Sequence, residues 1–163
     1  MRYRVQDKAF SIGDDSWIED EQGGRPFLLD GKTLRVRQTY ELKDDTGEVL
    51  LEIRRKIVAL RETMVVERDG AAVARIRRKV KLVRDRFDVD LAGGEEWTAT
   101  GDLIGKEYEI DRDSDGARVA AVSRRWLRLR DTYTVDVGEG FDVPLVLATA
   151  VAVDALARSE PDR

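Results

Sequence analysis

The chain has 163 residues, 38% of them charged, and its 33 acidic side chains outnumber 29 basic ones to give a net charge of −4. It contains no cysteine and no histidine. These absences exclude disulfides, thiolate nucleophiles, Cys/His zinc sites and histidine general bases. The acidic balance also argues against nucleic acid as a partner held by bulk electrostatic attraction.

Residues 1–141 consist of short alternating or β-branched runs separated by turn residues, which is typical of β-strands. Asp30-Gly31 and Asp69-Gly70 are hairpin signals, and residues 44–47, 92–95 and 113–116 are predicted turns. The pattern predicts strands at residues 3–6, 10–13, 16–19, 27–29, 34–42, 48–56, 57–60, 63–68, 73–83, 86–91, 97–100, 106–111, 118–123, 126–129 and 132–137. About a dozen short strands at this spacing indicate a barrel or a sandwich.

Residues 142–158 are predicted to form a helix that is apolar on all sides. Between residues 143 and 157 only Thr149 and Asp154 are polar, and they lie about 140° apart around a helix, so they make no polar face. The apolar run is shorter than the ~18–20 residues that span a bilayer. Asp142 is the predicted N-cap, with Pro144 in the first turn. Such a helix must be enclosed by the strands.

A sandwich has no room for a helix between its sheets, whereas a closed barrel of about twelve strands can hold one along its axis. Closure also removes the exposed sheet edges that favour aggregation. We therefore predict a mainly β protein, a closed antiparallel barrel around a central hydrophobic C-terminal helix, with residues 1–163 forming a single domain.

Several segments, taken in order, resemble the LURP-one-related family, and in particular its small bacterial members. They are DRFDVD at residues 85–90, VAAVSRRW at 119–126, RDTY at 130–133, and the helix residues 147–148 and 151–154. Residues 10–15 and 30–32 fit the family as well, so the resemblance covers nearly the whole chain. It implies the fold of the Tubby C-terminal domain and the phospholipid scramblases, a twelve-stranded barrel around a central hydrophobic helix. Tubby domains bind phosphoinositide headgroups and scramblases move lipids, so lipids are an implied class of ligand.

A basic stripe is the first candidate site. If residues 73–83 form one strand, Arg75, Arg77, Lys79 and Lys81 project from one face, and each cation near an anionic membrane is worth ~1 kcal/mol. A second cluster flanks Trp126, an aromatic side chain suited to a lipid interface, and consists of Arg124, Arg125, Arg128 and Arg130. The alternative is that both are solvated barrel faces paired with acids such as Glu107, Glu109 and Asp111 on a neighbouring strand.

Two acidic segments are weaker candidates. Residues 111–116 match the start of a calcium loop, but the twelfth position holds Val122 instead of a bidentate glutamate, so an ordinary β-turn is favoured. Asp136, Glu139 and Asp142 precede the helix, where scramblases are thought to hold calcium, but they match that pattern poorly. Asp154 is expected to form hydrogen bonds where the helix leaves the barrel. We assign no metal and no cofactor.

The sequence has no glycine-rich phosphate loop and no G-x-S-x-G elbow, so catalysis is the least favoured class. We expect a non-catalytic, cytoplasmic binding module for anionic phospholipid headgroups or membrane surfaces, without a transmembrane segment. One alternative is a protein-interaction or scaffold role. A weaker alternative is scramblase-like lipid transfer, which would require the helix to leave the barrel.

Overall fold

The structure, a computed structural model, describes residues 1–6, 16–32, 39–58, 61–79, 86–124 and 132–158. These residues form twelve strands and one helix. The strands are β1 (Arg2–Gln6), β2 (Ser16–Ile18), β3 (Phe27–Lys32), β4 (Thr39–Asp44), β5 (Val49–Val58), β6 (Arg61–Arg68), β7 (Ala71–Lys79), β8 (Arg86–Leu91), β9 (Glu96–Asp102), β10 (Glu107–Arg112), β11 (Arg118–Ser123) and β12 (Thr132–Val137), and the helix is α1 (Val143–Arg158). The predicted strands at 10–13 and 126–129 lie outside the described residues.

The strands form one antiparallel sheet in which each pairs with its neighbour in sequence from β2 to β12, and β1 pairs with β12. The remaining gap, between β1 and β2, is bridged by Arg4 and Glu19, whose backbone N–H and C=O groups exchange hydrogen bonds of 2.8 and 3.1 Å. The sheet is thereby nearly closed. The predicted twelve-stranded antiparallel barrel is confirmed.

The two hairpin signals had different outcomes. Asp69 and Gly70 have φ angles of 51° and 80° and join β6 to β7, as a two-residue turn with positive φ requires. The prediction of a turn at Asp30-Gly31 is wrong, because both residues lie within β3 and pair with β4. The Asp30 carboxylate lies 2.8 Å from Lys43 Nζ on β4, an ion pair that supports the extended pairing at this point.

One strand is longer than predicted. Residues 48–56 and 57–60 were predicted as separate strands, but β5 runs unbroken to Val58.

The helix α1 fills the barrel, as its composition predicted. Every residue from Val146 to Ala157 is buried, and inward-facing side chains of the surrounding strands complete a single core cluster. The predicted N-cap is confirmed, because Asp142 Oδ1 accepts a hydrogen bond of 3.3 Å from the Leu145 N–H. Thr149 is accommodated by donating its hydroxyl proton to the Leu145 carbonyl at 2.8 Å. No helix among the described residues is long and apolar enough to cross a bilayer.

The barrel has two distinguishable ends. At the helix-N end, where α1 begins, Asp142 pairs with Arg68 at the end of β6 at 3.0 Å. At the helix-C end, where α1 finishes, Arg78 near the end of β7 donates a hydrogen bond of 3.1 Å to the Leu156 carbonyl. Since the strands are antiparallel, every second connection lies at the same end. The ends of β5, β7 and β9 and the starts of β6, β8 and β10 therefore lie at the helix-C end.

Candidate anionic-ligand site on the barrel surface

The basic stripe lies where the alternation of β7 predicted. Ala74 and Ile76 are buried in the core, whereas Arg75 and Lys79 are exposed and Arg77 is half-buried between them. These three side chains therefore lie on the outer face of the barrel. Lys81, the fourth member of the predicted stripe, lies outside the described residues.

The acids predicted to neutralise the stripe are not its neighbours. Glu107, Glu109 and Asp111 lie on β10, three strands from β7. Glu109 and Asp111 pair with Arg118 on β11, at 2.7 and 2.6 Å, and Glu107 accepts hydrogen bonds from Ser123. That specific pairing is wrong for the stripe, whereas the second cluster follows β11, which pairs with β10.

The acids beside the stripe come from β8. Asp88 pairs with Lys79 Nζ at 2.9 Å and with Arg86 Nε at 3.1 Å. Across the β7–β8 ladder Asp90 is the register partner of Arg75. The general expectation of cross-strand neutralisation is therefore met at Lys79.

Three arginines of this surface carry no such partner. Arg61, Arg75 and Arg77 form no ion pair and no hydrogen bond with any residue that the structure describes, and the Nε of Arg77 is buried without an acceptor. Elsewhere bases lie against acids, as in the pairs Lys43–Asp30, Lys56–Glu67, Arg112–Asp115 and Arg118–Asp111. Arg61 was not singled out from the sequence. Arg61 is the first residue of β6, and the β6–β7 register, in which Thr63 pairs with Arg77, places it next to the stripe. This proximity depends on strand pairing and cannot be inferred from the local sequence.

A groove of about 240 Å³ follows this part of the surface. Its basic lining includes Arg61, Arg77, Lys79 and Arg86. Its acidic lining consists of Asp88, Asp90, Glu96 and Asp113. The bases at the strand ends lie at the helix-C end, and Glu96 and Asp113 lie near the helix-N end. The groove therefore has a basic part that suits a phosphate or carboxylate group.

The second basic cluster is described only at its first residue. Arg124 is exposed and follows β11 at the helix-C end, where its backbone N–H donates to Glu107 Oε1 at 2.9 Å. Arg125, Arg128 and Arg130 lie outside the described residues, as does Trp126. The role of this cluster stays a prediction.

The acidic segment at residues 111–116 contains the end of β10 and the turn that joins it to β11. Gly116, with φ of 73°, donates its N–H to the Arg112 carbonyl at 2.8 Å. The Arg112 guanidinium holds the pKa of the Asp115 carboxyl below its ordinary value, and Asp113 accepts a hydrogen bond of 2.6 Å from the Thr98 hydroxyl. The carboxylates of this turn thus serve separate contacts with neighbouring side chains.

The segment before the helix has structural partners as well. Asp136 lies on β12 within 3.8 Å of the chain's N-terminal ammonium and 3.7 Å of Arg2. Asp142 caps the helix and pairs with Arg68. The structure therefore gives both carboxylates roles in holding the fold.

A buried polar cluster closes the helix-C end, and the sequence did not reveal it. Lys106 Nζ lies 3.1 Å from Asp154 Oδ1, with both side chains only 2% exposed, and 4.6 Å from the centre of the Tyr133 ring. Burial of the carboxyl raises the pKa of Asp154 to about 6, because it outweighs the positive charge of Arg158, which lowers that pKa. Asp154 was expected to form hydrogen bonds where the helix leaves the barrel, and its carboxylate has two charged donors there, the Lys106 ammonium of the β9–β10 turn at 3.1 Å and Arg158 Nε at 3.4 Å.

Two inward arginines complete this end of the barrel. The Arg55 guanidinium donates to the Ala155 carbonyl at 3.0 Å, and that of Arg78 donates to the Leu156 carbonyl at 3.1 Å. Cations are favourable at the C-terminus of a helix because its carbonyl ends carry partial negative charge. These arginines stabilise the last turn of α1, and Arg78 also borders the groove.

Comparison with known proteins agrees with this architecture. The sequence profile of the LURP-one-related family matches residues 1–154. The uncharacterised protein YxjI of Bacillus subtilis (strain 168) is 25% identical over 106 residues, which is 65% of this chain and 64% of that protein. The X-ray structure of the Arabidopsis thaliana protein AT5G01750 superposes with a TM-score of 0.68 at 16% identity, covering 96% of this chain and 91% of that one, and so shares its fold. With the match extending over nearly the whole barrel and its helix, the chain belongs to the LURP-one-related family.

Proposed function

We propose that this protein is a non-catalytic binding module whose outer groove over β6, β7 and β8 takes an anionic group, such as a phospholipid headgroup. The observation that carries the proposal is a set of arginines that have no carboxylate partner among the described residues: Arg61 and Arg77, which line the groove, and Arg75, which lies beside it on β7. Arginine is suited to such a site because its planar guanidinium binds phosphate or carboxylate through two parallel hydrogen bonds.

The acids of the groove limit the attraction but do not cancel it. Asp88 is already shared between Lys79 and Arg86, so it is a weak competitor for a further guanidinium. An incoming phosphate would reach Arg77, whose buried Nε has no acceptor among the described residues. Providing that acceptor would offset the desolvation of the guanidinium.

The buried helix favours binding over scramblase-like transfer. Twelve consecutive residues of α1, from Val146 to Ala157, are enclosed by the strands. Moving α1 into a bilayer would remove the centre of the hydrophobic core, which large apolar side chains stabilise by roughly 1.5–3 kcal/mol each. We therefore propose that α1 stays in place while the outer surface binds.

Co-sedimentation with vesicles tests this function. The double variant Arg75→Gln/Arg77→Gln should bind phosphatidylglycerol vesicles about thirtyfold more weakly than the wild type, since each cation contributes ~1 kcal/mol near an anionic surface. Binding of the wild type should fall at high salt and be weak for phosphatidylcholine vesicles.

A matched control removes the same charge elsewhere. Arg2→Gln/Arg118→Gln changes two exposed arginines that already pair with acids, and it should bind nearly as the wild type does. Equal weakening by both double variants would show that net charge alone governs binding, and would refute a specific groove. Vesicle binding that does not change with salt would refute an electrostatic role for the groove.

A further inference from the structure

Two large aliphatic side chains are exposed at the helix-C end of the barrel. Ile57 is 64% exposed near the end of β5, and Ile104 is 70% exposed in the turn between β9 and β10. Neither contributes to the core cluster. Exposed isoleucines are costly to hydrate, and apolar side chains that share one end of a molecule can serve as an interaction surface.

The charges of the described residues differ between the two ends. The helix-N end carries an excess of acids in its turns, namely Asp20, Glu21, Asp44, Asp45, Glu48, Asp69, Glu95, Asp113, Asp115 and Glu139. At the helix-C end the strand termini and exposed flanks carry more bases than acids: Arg61, Lys79, Arg86, Arg124 and Arg158 against Glu62, Asp102 and Glu107. In the field of an anionic surface this asymmetry orients the barrel with its helix-C end toward that surface, although the net charge is negative.

We propose that the helix-C end docks on an anionic lipid bilayer, with Ile57 and Ile104 entering the interface beneath the headgroups. This inference rests on the proposed function, because the basic part of the groove reaches the same end through Arg61, Lys79 and Arg86. Headgroup phosphates held in the groove and isoleucines in the interface would then contact one membrane surface at the same time.

The combination of contacts favours a bilayer over a protein partner. The apolar contribution comes from two separated side chains on different hairpins, and insertion of single aliphatic side chains requires no complementary surface. The surrounding bases match the negative potential of anionic lipids. Peripheral binding of this kind typically combines an apolar and an electrostatic contribution.

Site-specific labelling tests the orientation, since the chain has no cysteine of its own. Single variants Ile57→Cys, Ile104→Cys and Val49→Cys are labelled with an environment-sensitive fluorophore and mixed with phosphatidylglycerol vesicles. Val49 is the matched control, because it is exposed, 38%, at the helix-N end of β5. Labels at positions 57 and 104 should shift to the blue, and the label at position 49 should not.

Affinity provides the second measurement. Ile57→Ser/Ile104→Ser should weaken binding to these vesicles by about tenfold, from the loss of partial apolar burial, whereas Val49→Ser should not. If the isoleucine variant binds as the wild type does while Arg75→Gln/Arg77→Gln is weakened, the docking proposal is overturned and the proposed function stands. If the wild type binds no vesicles, both are overturned, and the exposed isoleucines would point to a protein partner.

Discussion

Adjacent arginines on β7 should have opposite roles, because they lie on opposite faces of the barrel wall. Arg77 faces the outer groove without a partner among the described residues. Arg78 donates to the Leu156 carbonyl at 3.1 Å, and its guanidinium carbon lies 5.4 Å from the centre of the Phe87 ring. Replacing each by methionine keeps most of the aliphatic stem and removes only the charged group.

The expected losses follow from these contacts. A hydrogen bond from a charged donor contributes about 1.5–3 kcal/mol, and a partly desolvated cation–π contact contributes about 0.5–2 kcal/mol. Allowing for replacement by an apolar side chain that packs well, Arg78→Met should lower the free energy of unfolding by about 2 kcal/mol. Arg77→Met should change it by less than about 0.5 kcal/mol, as is usual for surface positions, and should instead weaken binding to anionic vesicles.

Urea unfolding followed by tryptophan fluorescence measures the first effect, with the shift in midpoint compared at constant slope. Co-sedimentation measures the second. Equal destabilisation by the two substitutions, or weaker vesicle binding from Arg78→Met alone, would contradict the assignment of the two faces.

Three further outcomes follow from the core and from its buried charges. Leu147→Ala, in the enclosed helix, should lower stability by about 2–5 kcal/mol, and a loss below about 1 kcal/mol in urea unfolding would contradict a packed barrel interior. The Asp154 carboxyl should titrate near pH 6 by carbon NMR. Because its pKa is higher in the folded than in the unfolded state, its contribution to stability is present below about pH 4 and is lost as the pH rises toward 6. A measured Asp154 pKa near 4 would refute this. Arg158→Gln should raise that pKa further, because Arg158 lowers it; no change would show that the ion pair with Asp154 is insignificant.

The fold was predictable because its signals are local. Alternation in residues 39–42 and the positive-φ turn at Asp69-Gly70 each depend on neighbouring residues. The uniformly apolar helix then required an enclosing barrel. The error at Asp30-Gly31 arose because the same dipeptide is also compatible with a strand when a cross-strand partner such as Lys43 is available.

The candidate site was only partly predictable because it depends on pairing between strands. The outward direction of Arg75, Arg77 and Lys79 follows from the two-residue period of a strand. Which acids lie beside them depends on the register of β7 with β8. The position of Arg61 beside the stripe and the ion pair between Lys106 and Asp154 have no signal in the local sequence. Each depends on a contact between different elements of the fold.

Mapping the bound anion by NMR tests the central claim most directly. Short-chain phosphatidylglycerol, kept below its critical micelle concentration, is titrated into the labelled protein while the backbone amides and arginine Nε–H groups are observed. The proposed groove predicts the largest shifts at Arg61 and Arg77, which line it, and smaller ones at the neighbouring Arg75. The Nε–H of Arg77 should move most, because its Nε has no acceptor within the described structure. Shifts centred on the ion-paired face around Arg118, with none in β6 or β7, would contradict it.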